Sequence, residues 1–234
     1  CGMVEQMASD ELLLRFTGDP MWADNCEDIA FNTYPAAVMP DFKSLRYFTC
    51  PNMVTTDARN HNPGINNHGR FLIMNPFSHR CCQHNHAQGW PYYAENMWLA
   101  TPDNGLAAIL YSAGTVTARV GDGTEVKITE ATNYPFEEKI RLTVHTPDAV
   151  KFPLYLRIPG WCETAKISIN GKTVTETFAA SKYVRLEQLW KNGDEVLIDF
   201  PMKITMRQWP TNQESVSLNY GPLTFSIKID EEYI

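Results

Sequence analysis

The spacing of apolar residues changes near Gly105, and this change divides the chain into two parts of different secondary structure. Before it, apolar residues such as Val4, Met7 and Leu14 recur at roughly the 3.6-residue period of a helix. After it, apolar and polar residues alternate, which is the period of half-buried strands. The alternating apolar residues are Ile140, Leu142, Val144, Leu154, Leu156, Ile158, Ile167, Ile169, Val196, Ile198 and Phe200. The pattern predicts a mixed α and β protein, with helices first and strands second.

Turn residues separate the predicted strands. Asn170-Gly171 is a strong signal for a two-residue hairpin, and Gly121-Asp122-Gly123 and Asn192-Gly193-Asp194 predict further turns. Many short strands, spaced by about 8–12 residues, are typical of an antiparallel β-sandwich. We therefore predict a β-sandwich over residues 101–205 and the start of a second β-sandwich segment over residues 206–234.

The first 34 residues predict a helical hairpin. The first helix is expected to run to about Phe16, because Gly18 is a residue that accepts the left-handed conformation at a helix end. Asp19 is a good N-cap and Pro20 a good first-turn residue for the second helix. Pro35 is expected to end or kink that second helix.

Residues 35–87 are rich in proline, asparagine and glycine, which interrupt every periodic pattern. Long irregular connections of this kind are usually functional or disordered. We favour a functional connection, because it leads directly into a pair of cysteines. A short helix is predicted next, with four apolar residues on its inner face. They are Tyr92, Tyr93, Met97 and Trp98.

Cys81 and Cys82 are adjacent, and neighbouring side chains rarely both need a thiol for packing, since they point in different directions. One explanation is a metal, because zinc takes thiolate ligands and is nearly always four-coordinate. Two cysteines supply half of such a shell. Candidates for the other ligands are His79, His84, His86 and Cys1.

A second explanation is a nucleophile, because a neighbouring cation or metal lowers the pKa of a thiol and exposes the reactive thiolate. Arg80 and the flanking histidines are neighbours of the right kind. A third explanation is a pair of buried thiols, and a strained vicinal disulfide is a fourth. The residues alone leave these alternatives open.

Charge and composition exclude some classes of protein. The net charge of −7, without a run of Lys and Arg, argues against a nucleic-acid surface. No apolar stretch approaches the ~20 residues of a membrane span, so none is expected. Six irregularly spaced cysteines are too few for a disulfide scaffold. The three isolated ones, Cys26, Cys50 and Cys162, are predicted to be buried small apolar residues.

Five short motifs occur in order along the chain. They are Cys1-Gly2-Met3-Val4-Glu5-Gln6-Met7, Thr17-Gly18-Asp19-Pro20, His79-Arg80-Cys81-Cys82, Leu156-Arg157-Ile158-Pro159-Gly160-Trp161 and Gly221-Pro222-Leu223. Together they resemble glycoside hydrolase family 127, the β-L-arabinofuranosidases and their relatives. The resemblance implies an (α/α)6 barrel followed by an antiparallel β-sandwich, so that residues 1–100 would be the C-terminal part of the helical catalytic barrel.

The resemblance also implies a zinc site made of one glutamate and three cysteines. Cys81 and Cys82 match the adjacent pair of ligands, and Cys1 matches the third cysteine. Cys81 matches the position of the nucleophile, and His79 matches a histidine that lines the sugar pocket. The implied reaction is retaining glycoside hydrolysis through a cysteine thiolate, which departs from the usual two-carboxylate scheme.

The implied substrate is a carbohydrate, specifically a plant-type glycan that contains arabinose. A second implied partner is another copy of the chain, in a homodimer. The family's glutamate ligand and its acid/base glutamate lie upstream of the position of Cys1, so we expect a fragment without hydrolase activity of its own. The alternative is a non-catalytic carbohydrate-binding or accessory module, in which the cysteines are structural or hold a structural zinc.

Overall fold

The computed structural model of the chain describes residues 2–39, 42–43, 45–46, 73–74, 80–174, 178–228 and 230. The helices are α1 (Gly2–Thr17), α2 (Pro20–Asp28), a π-helix (Ile29–Thr33), α3 (Tyr34–Ala36), α4 (Arg80–Ala87) and α5 (Gly89–Glu95). Two short strands, β1 (Leu45–Arg46) and β2 (Ile73–Met74), pair between α3 and α4.

The helical hairpin forms as predicted. Gly18 has a φ of +68° and its N–H donates to the carbonyl of Leu14, which ends α1. The Asp19 carboxylate accepts from the Met21 N–H at 2.9 Å, so it caps α2, and Pro20 is the first residue of that helix.

Two sheets form the sandwich. One sheet has six strands in the order β10-β9-β12-β7-β6-β5, and the other has four in the order β11-β8-β4-β3. The strands are β3 (Trp98–Ala100), β4 (Leu106–Ala108), β5 (Gly114–Val120), β6 (Thr124–Thr132), β7 (Lys139–His145), β8 (Val150–Ile158), β9 (Lys166–Ile169), β10 (Lys172–Thr173), β11 (Lys182–Trp190) and β12 (Glu195–Asp199). All neighbours are antiparallel except β4 and β8, which are parallel.

The sandwich core is made of the predicted alternating residues. Ile140, Leu142 and Val144 on β7 have no exposed surface, and neither do Leu154 and Leu156 on β8. Burial of each such side chain stabilises the fold by about 1.5–3 kcal/mol before the entropy of ordering is subtracted. The prediction of a mixed α and β chain with mostly antiparallel strands is confirmed.

The predicted hairpin also forms. Asn170 and Gly171 connect β9 to β10 with φ angles of +50° and +77°, the two positive values that a type I′ turn requires. The other two predicted turns connect β5 to β6 and β11 to β12.

The helix predicted across Tyr92 to Trp98 is shorter than expected. It ends at Glu95, and Trp98 opens β3 in the sandwich. The cause is Asn96, whose side-chain amide donates to the Glu11 carboxylate and to the Tyr92 carbonyl, so the residue terminates the helix instead of continuing it.

A separate three-stranded antiparallel sheet follows the sandwich. Its strands are β13 (Ile204–Trp209), β14 (Ser215–Tyr220) and β15 (Leu223–Thr224). Arg207 pairs with Asp28 at 3.0 Å, and the Thr224 N–H donates to the Asn32 side chain at 2.7 Å. These contacts attach the sheet to the helices. In the described part of the chain, none of the helices has the length and apolar character needed to cross a membrane.

A buried arginine joins the helices to the sandwich. Arg157 on β8 has no exposed surface, and its Nη2 lies 2.5 Å from the Glu27 carboxylate of α2. A second guanidinium nitrogen pairs with the Asp24 carboxylate, and Nε donates to the Ile109 carbonyl at 2.5 Å. The helical part and the sandwich therefore share one polar joint inside a mostly apolar boundary. The prediction that residues 1–100 complete an (α/α)6 barrel stays a prediction.

Candidate active site

The adjacent cysteines lie near the start of α4. Cys81 is exposed, whereas Cys82 is 7% exposed and faces inwards. Successive side chains on a helix point about 100° apart, which places one thiol at the surface and the next in the interior. Their sulfur atoms are 3.8 Å apart, far beyond the about 2.05 Å of a disulfide bond. Both are free thiols, so a vicinal disulfide is excluded in this structure.

The sulfur separation fits two ligands of one metal ion. In a tetrahedral zinc site with zinc–sulfur bonds of about 2.3 Å, neighbouring sulfur atoms are about 3.8 Å apart. The Cys81 and Cys82 thiols have this separation without any rearrangement. The separation is therefore compatible with two ligands of one tetrahedral ion.

The other predicted members of the site are not brought together by the described residues. Cys1 and His79 lie outside the described residues. Cys50, predicted as a buried isolated cysteine, also lies outside them. His84 is exposed, and the His86 ring lies against Tyr34. Within the described ranges, no group of three or more Cys, His, Asp or Glu residues is placed to hold a metal.

The electrostatic environment of the inner thiol favours its neutral form. Burial raises the pKa of Cys82, and the neighbouring Cys81 thiol raises it further. A cation bound between the two sulfur atoms would act in the opposite direction, because it favours the charged thiolate.

Three aromatic side chains, of Tyr34, His86 and Trp90, pack together at the end of α4. We call these three residues and the neighbouring Gly89 the tyrosine clamp. The Tyr34 ring stacks on the His86 ring with centroids 4.3 Å apart and planes at 20°. The Tyr34 hydroxyl donates to the His86 carbonyl at 2.7 Å. Trp90 meets Tyr34 edge to face at 5.3 Å.

Tyr34 reaches this position through the π-helix. Its N–H donates to the carbonyl of Ile29, five residues earlier, instead of four. The wider turn shifts the phase of the side chains that follow it. Pro35 was expected to end or kink the helix, but the departure from α geometry precedes it, and α3 continues through Pro35 to Ala36.

A buried carboxyl group lies beneath the helices. Glu11 of α1 is 3% exposed and accepts hydrogen bonds from the Asn96 amide at 2.7 Å and from the Cys26 thiol at 3.5 Å. Burial raises the pKa of Glu11 to about 7. Cys26 and Cys162 are buried, as predicted for isolated cysteines. Glu11 was not singled out from the sequence.

The joint around Arg157 was also missed, although Arg157 belongs to one of the five motifs. Asp24 accepts from the Gly160 N–H at 3.0 Å, and burial raises the pKa of Asp24 to about 6 against the lowering effect of Arg157. The Glu27 carboxylate also accepts from the Tyr134 hydroxyl at 2.8 Å. The available signal was a charged residue between apolar residues in a strand that is buried almost throughout.

Among the depressions on the described surface, two on the sandwich have volumes of about 370 and 290 Å³. Lys139 and Arg141 line the first, and His145 and Asn192 line the second. Neither lining includes a Trp, Tyr or Phe ring on which a sugar could stack. These depressions give no support to a carbohydrate-binding module.

Two family models match the chain. The GH127 catalytic domain of β-L-arabinofuranosidase matches residues 1–95, and the GH127 middle domain matches residues 105–202. Both halves of the chain are thus similar to consecutive domains of one family. A search among curated proteins gives no match.

Solved structures resemble the chain over nearly its whole length. A glycoside hydrolase has a TM-score of 0.79 and 26% identity, over 96% of this chain and 37% of its own. A GH127 β-L-arabinofuranosidase from Geobacillus stearothermophilus T6 has a TM-score of 0.75 and 27% identity, over 94% and 35%. A GH127 β-arabinofuranosidase with 21% identity shares the fold, with a TM-score of 0.77 over 96% and 36%. The chain spans little more than a third of these proteins.

Proposed function

Because the chain belongs to glycoside hydrolase family 127, we propose that it contributes the nucleophile of a retaining β-L-arabinofuranosidase-like active site. The observation that carries this proposal is the pair of free thiols on α4, with sulfur atoms 3.8 Å apart, one exposed and one buried. The pair lies in the segment that matches the catalytic domain.

The two thiols differ in the roles that their exposure allows. Cys81 is exposed, so a sugar can approach its sulfur atom, and we assign it the role of nucleophile. Cys82 is buried and serves as an anchor. We propose that both, with Cys1, are zinc ligands, and zinc when bound holds coordinating thiols in the deprotonated form. His79 is proposed to contact the sugar.

The proposed reaction has two displacements. The Cys81 thiolate attacks the anomeric carbon, a carbon–sulfur bond forms, and the bond to the leaving oxygen breaks as an acid protonates that oxygen. Water then attacks the same carbon from the side opposite the sulfur, its proton passes to the group that acted as the acid in the first step, and the Cys81 sulfur leaves as the thiolate. Two inversions give net retention.

The substrate we propose is a β-L-arabinofuranoside within a plant-type, arabinose-containing glycan. Its support is the family and the name of the Geobacillus stearothermophilus relative. The expected acid/base is a glutamate outside this sequence, so we also propose that these 234 residues do not hydrolyse an aryl arabinofuranoside alone. Homodimer formation stays a prediction.

The test replaces the Cys81 thiol in the natural protein. We expect Cys81→Ser to abolish hydrolysis of p-nitrophenyl β-L-arabinofuranoside, because a serine hydroxyl stays protonated where a thiol would ionise. The variant should also bind less zinc by elemental analysis. Cys162→Ala is the matched control, because Cys162 is a buried thiol inside the sandwich and should leave turnover unchanged.

The accessory-module alternative predicts a different result. In an accessory module, Cys81→Ser would lower zinc content and melting temperature together. Turnover at saturating substrate would be the same in the variant as in the parent, whether the parent shows turnover or none. Turnover in Cys81→Ser close to that of the parent would exclude Cys81 as the nucleophile.

A further inference from the structure

We propose that Tyr34 is a positioning residue for the cysteine pair: it fixes the place and rotation of α4, and with them the directions of the Cys81 and Cys82 thiols. The importance of those directions rests on the proposed function. The clamp itself rests on contacts among described residues that are far apart in sequence.

Tyr34 contacts His86 of α4 in three ways, one of them through its backbone carbonyl, which lies 3.3 Å from His86 Nε2. Its ring stacks on the His86 ring, and its hydroxyl donates to the His86 carbonyl at 2.7 Å. His86 follows Cys82 by four residues, so both side chains lie on the same face of the helix. A contact that restrains the side chain and the backbone of His86 restrains both the rotation and the axial position of α4.

The first residue of α5, Gly89, lies directly against the Tyr34 ring. A Cβ atom added to Gly89 would lie 2.5 Å from Tyr34 Cζ, closer than two carbon atoms can approach. Trp90 covers the ring edge to face. A glycine is therefore needed at position 89 because any larger residue would collide with the Tyr34 ring.

Tyr34 itself is held in place by its burial and by the attachment of the preceding helix to the sandwich. Tyr34 is buried, with 3% exposure, and it follows the π-helix directly. The preceding helix α2 is bound to the sandwich through the pairs of Asp24 and Glu27 with Arg157. Single π turns are uncommon and occur frequently at functional sites. Tyr34 thus transfers the position of a fixed helix to the helix that bears the thiols.

Three variants in the natural polypeptide test this inference, with two readouts that need no turnover. The readouts are the Co²⁺ dissociation constant, from the thiolate-to-cobalt absorption band, and the alkylation rate of Cys81 by iodoacetamide in metal-free protein. Tyr34→Phe removes only the hydroxyl, and we expect Co²⁺ binding to weaken about five- to tenfold. Tyr34→Leu also removes the stacking ring and should weaken it further.

Gly89→Ala provides the third and sharpest variant. The added methyl group would displace the Tyr34 ring, so the single variant should weaken Co²⁺ binding at least tenfold, by about the free energy of a lost buried contact. Combined with Tyr34→Leu, it should add little further loss, since the ring it displaces is gone. Strong non-additivity of this kind marks direct coupling between the two positions.

Tyr92→Phe is the matched control, because it removes a tyrosine hydroxyl from α5 whose partner is the exposed Gln88 side chain. It should leave both readouts unchanged. If Tyr34→Phe and Tyr34→Leu lower the melting temperature but keep Co²⁺ affinity and alkylation rate within twofold of the parent, Tyr34 is a packing residue only. Turnover that survives in Cys81→Ser would instead reject the proposed function, whatever the clamp variants show.

Discussion

The carboxyl group of Glu11 on α1 is hydrogen-bonded to α2 and to the residue that follows α5. Its oxygens accept from Asn96, next to the end of α5, and from Cys26 on α2, while Arg15 favours its charged form and Glu95 opposes it. Burial is the largest effect, and it raises the pKa of Glu11 from 4.5 to about 7. In the folded protein this group therefore stays protonated into the neutral range.

The raised pKa of Glu11 predicts how stability depends on pH. The unfolded chain loses the proton near pH 4.5 and the folded chain near 7, so unfolding releases a proton between these values. The stabilising contribution of Glu11 is complete below about pH 4.5 and is lost as the pH rises through about 7. Thermal melts of the parent and of Glu11→Gln should show that the variant loses less stability across this interval. Parallel curves would show that Glu11 does not titrate there.

The helical hairpin depends on one capping side chain between α1 and α2. We expect Asp19→Ala to lower the free energy of unfolding by about 1 kcal/mol, because the Met21 N–H loses its acceptor. Urea denaturation measures this loss. Asp19→Asn retains an acceptor of the same shape and should be close to the parent, so an equal loss in both variants would assign the effect to charge instead of capping.

Elements whose boundaries depend on nearby residues could be predicted from the sequence. Gly18 ends α1 and Asn170-Gly171 turns the chain between β9 and β10, because both act through local backbone conformation. The end of α5 could not be predicted, since Asn96 terminates it by binding Glu11, a residue 85 positions away. The parallel pairing of β4 with β8 likewise depends on how distant strands meet.

The candidate site divides in the same way. The thiols of Cys81 and Cys82 were found because adjacency in sequence is visible. The contact that Tyr34 makes could not be found in the sequence, since its partner His86 lies 52 positions later. The π-helix that aims it has no local signature in the sequence.

At the scale of the whole molecule, the described residues form two apolar cores that meet at a charged joint. One core lies between the two sheets of the sandwich, and the other among the helices. Arg157 lies at their boundary with no exposed surface and is matched by two carboxylates from α2. Buried charges of this kind are tolerated only when they are paired.

Removing this arginine should therefore be more damaging than removing an exposed one. Arg157→Met leaves Asp24 and Glu27 without their partner, and we expect a loss of about 3–5 kcal/mol in the free energy of unfolding. Arg141→Met is the control, since its pair with Glu195 is half exposed and should contribute only about 0–1 kcal/mol. Equal effects in urea titrations would show that the joint is not a principal contributor to stability.

We expect the Arg157 joint to limit where this chain can be recombined with a relative, because its charges come from both the helices and the sandwich. A chimera that keeps α2 of this chain but takes its sandwich from another protein would lose Arg157 and leave the buried Asp24 and Glu27 carboxylates without this partner. Crossovers that carry Asp24 and Glu27 together with Arg157 preserve the charge balance, although Arg157 follows Asp24 by 133 positions. Among folded chimeras made from this chain and its relatives, we therefore expect α2 and β8 to come from the same parent more often than chance gives.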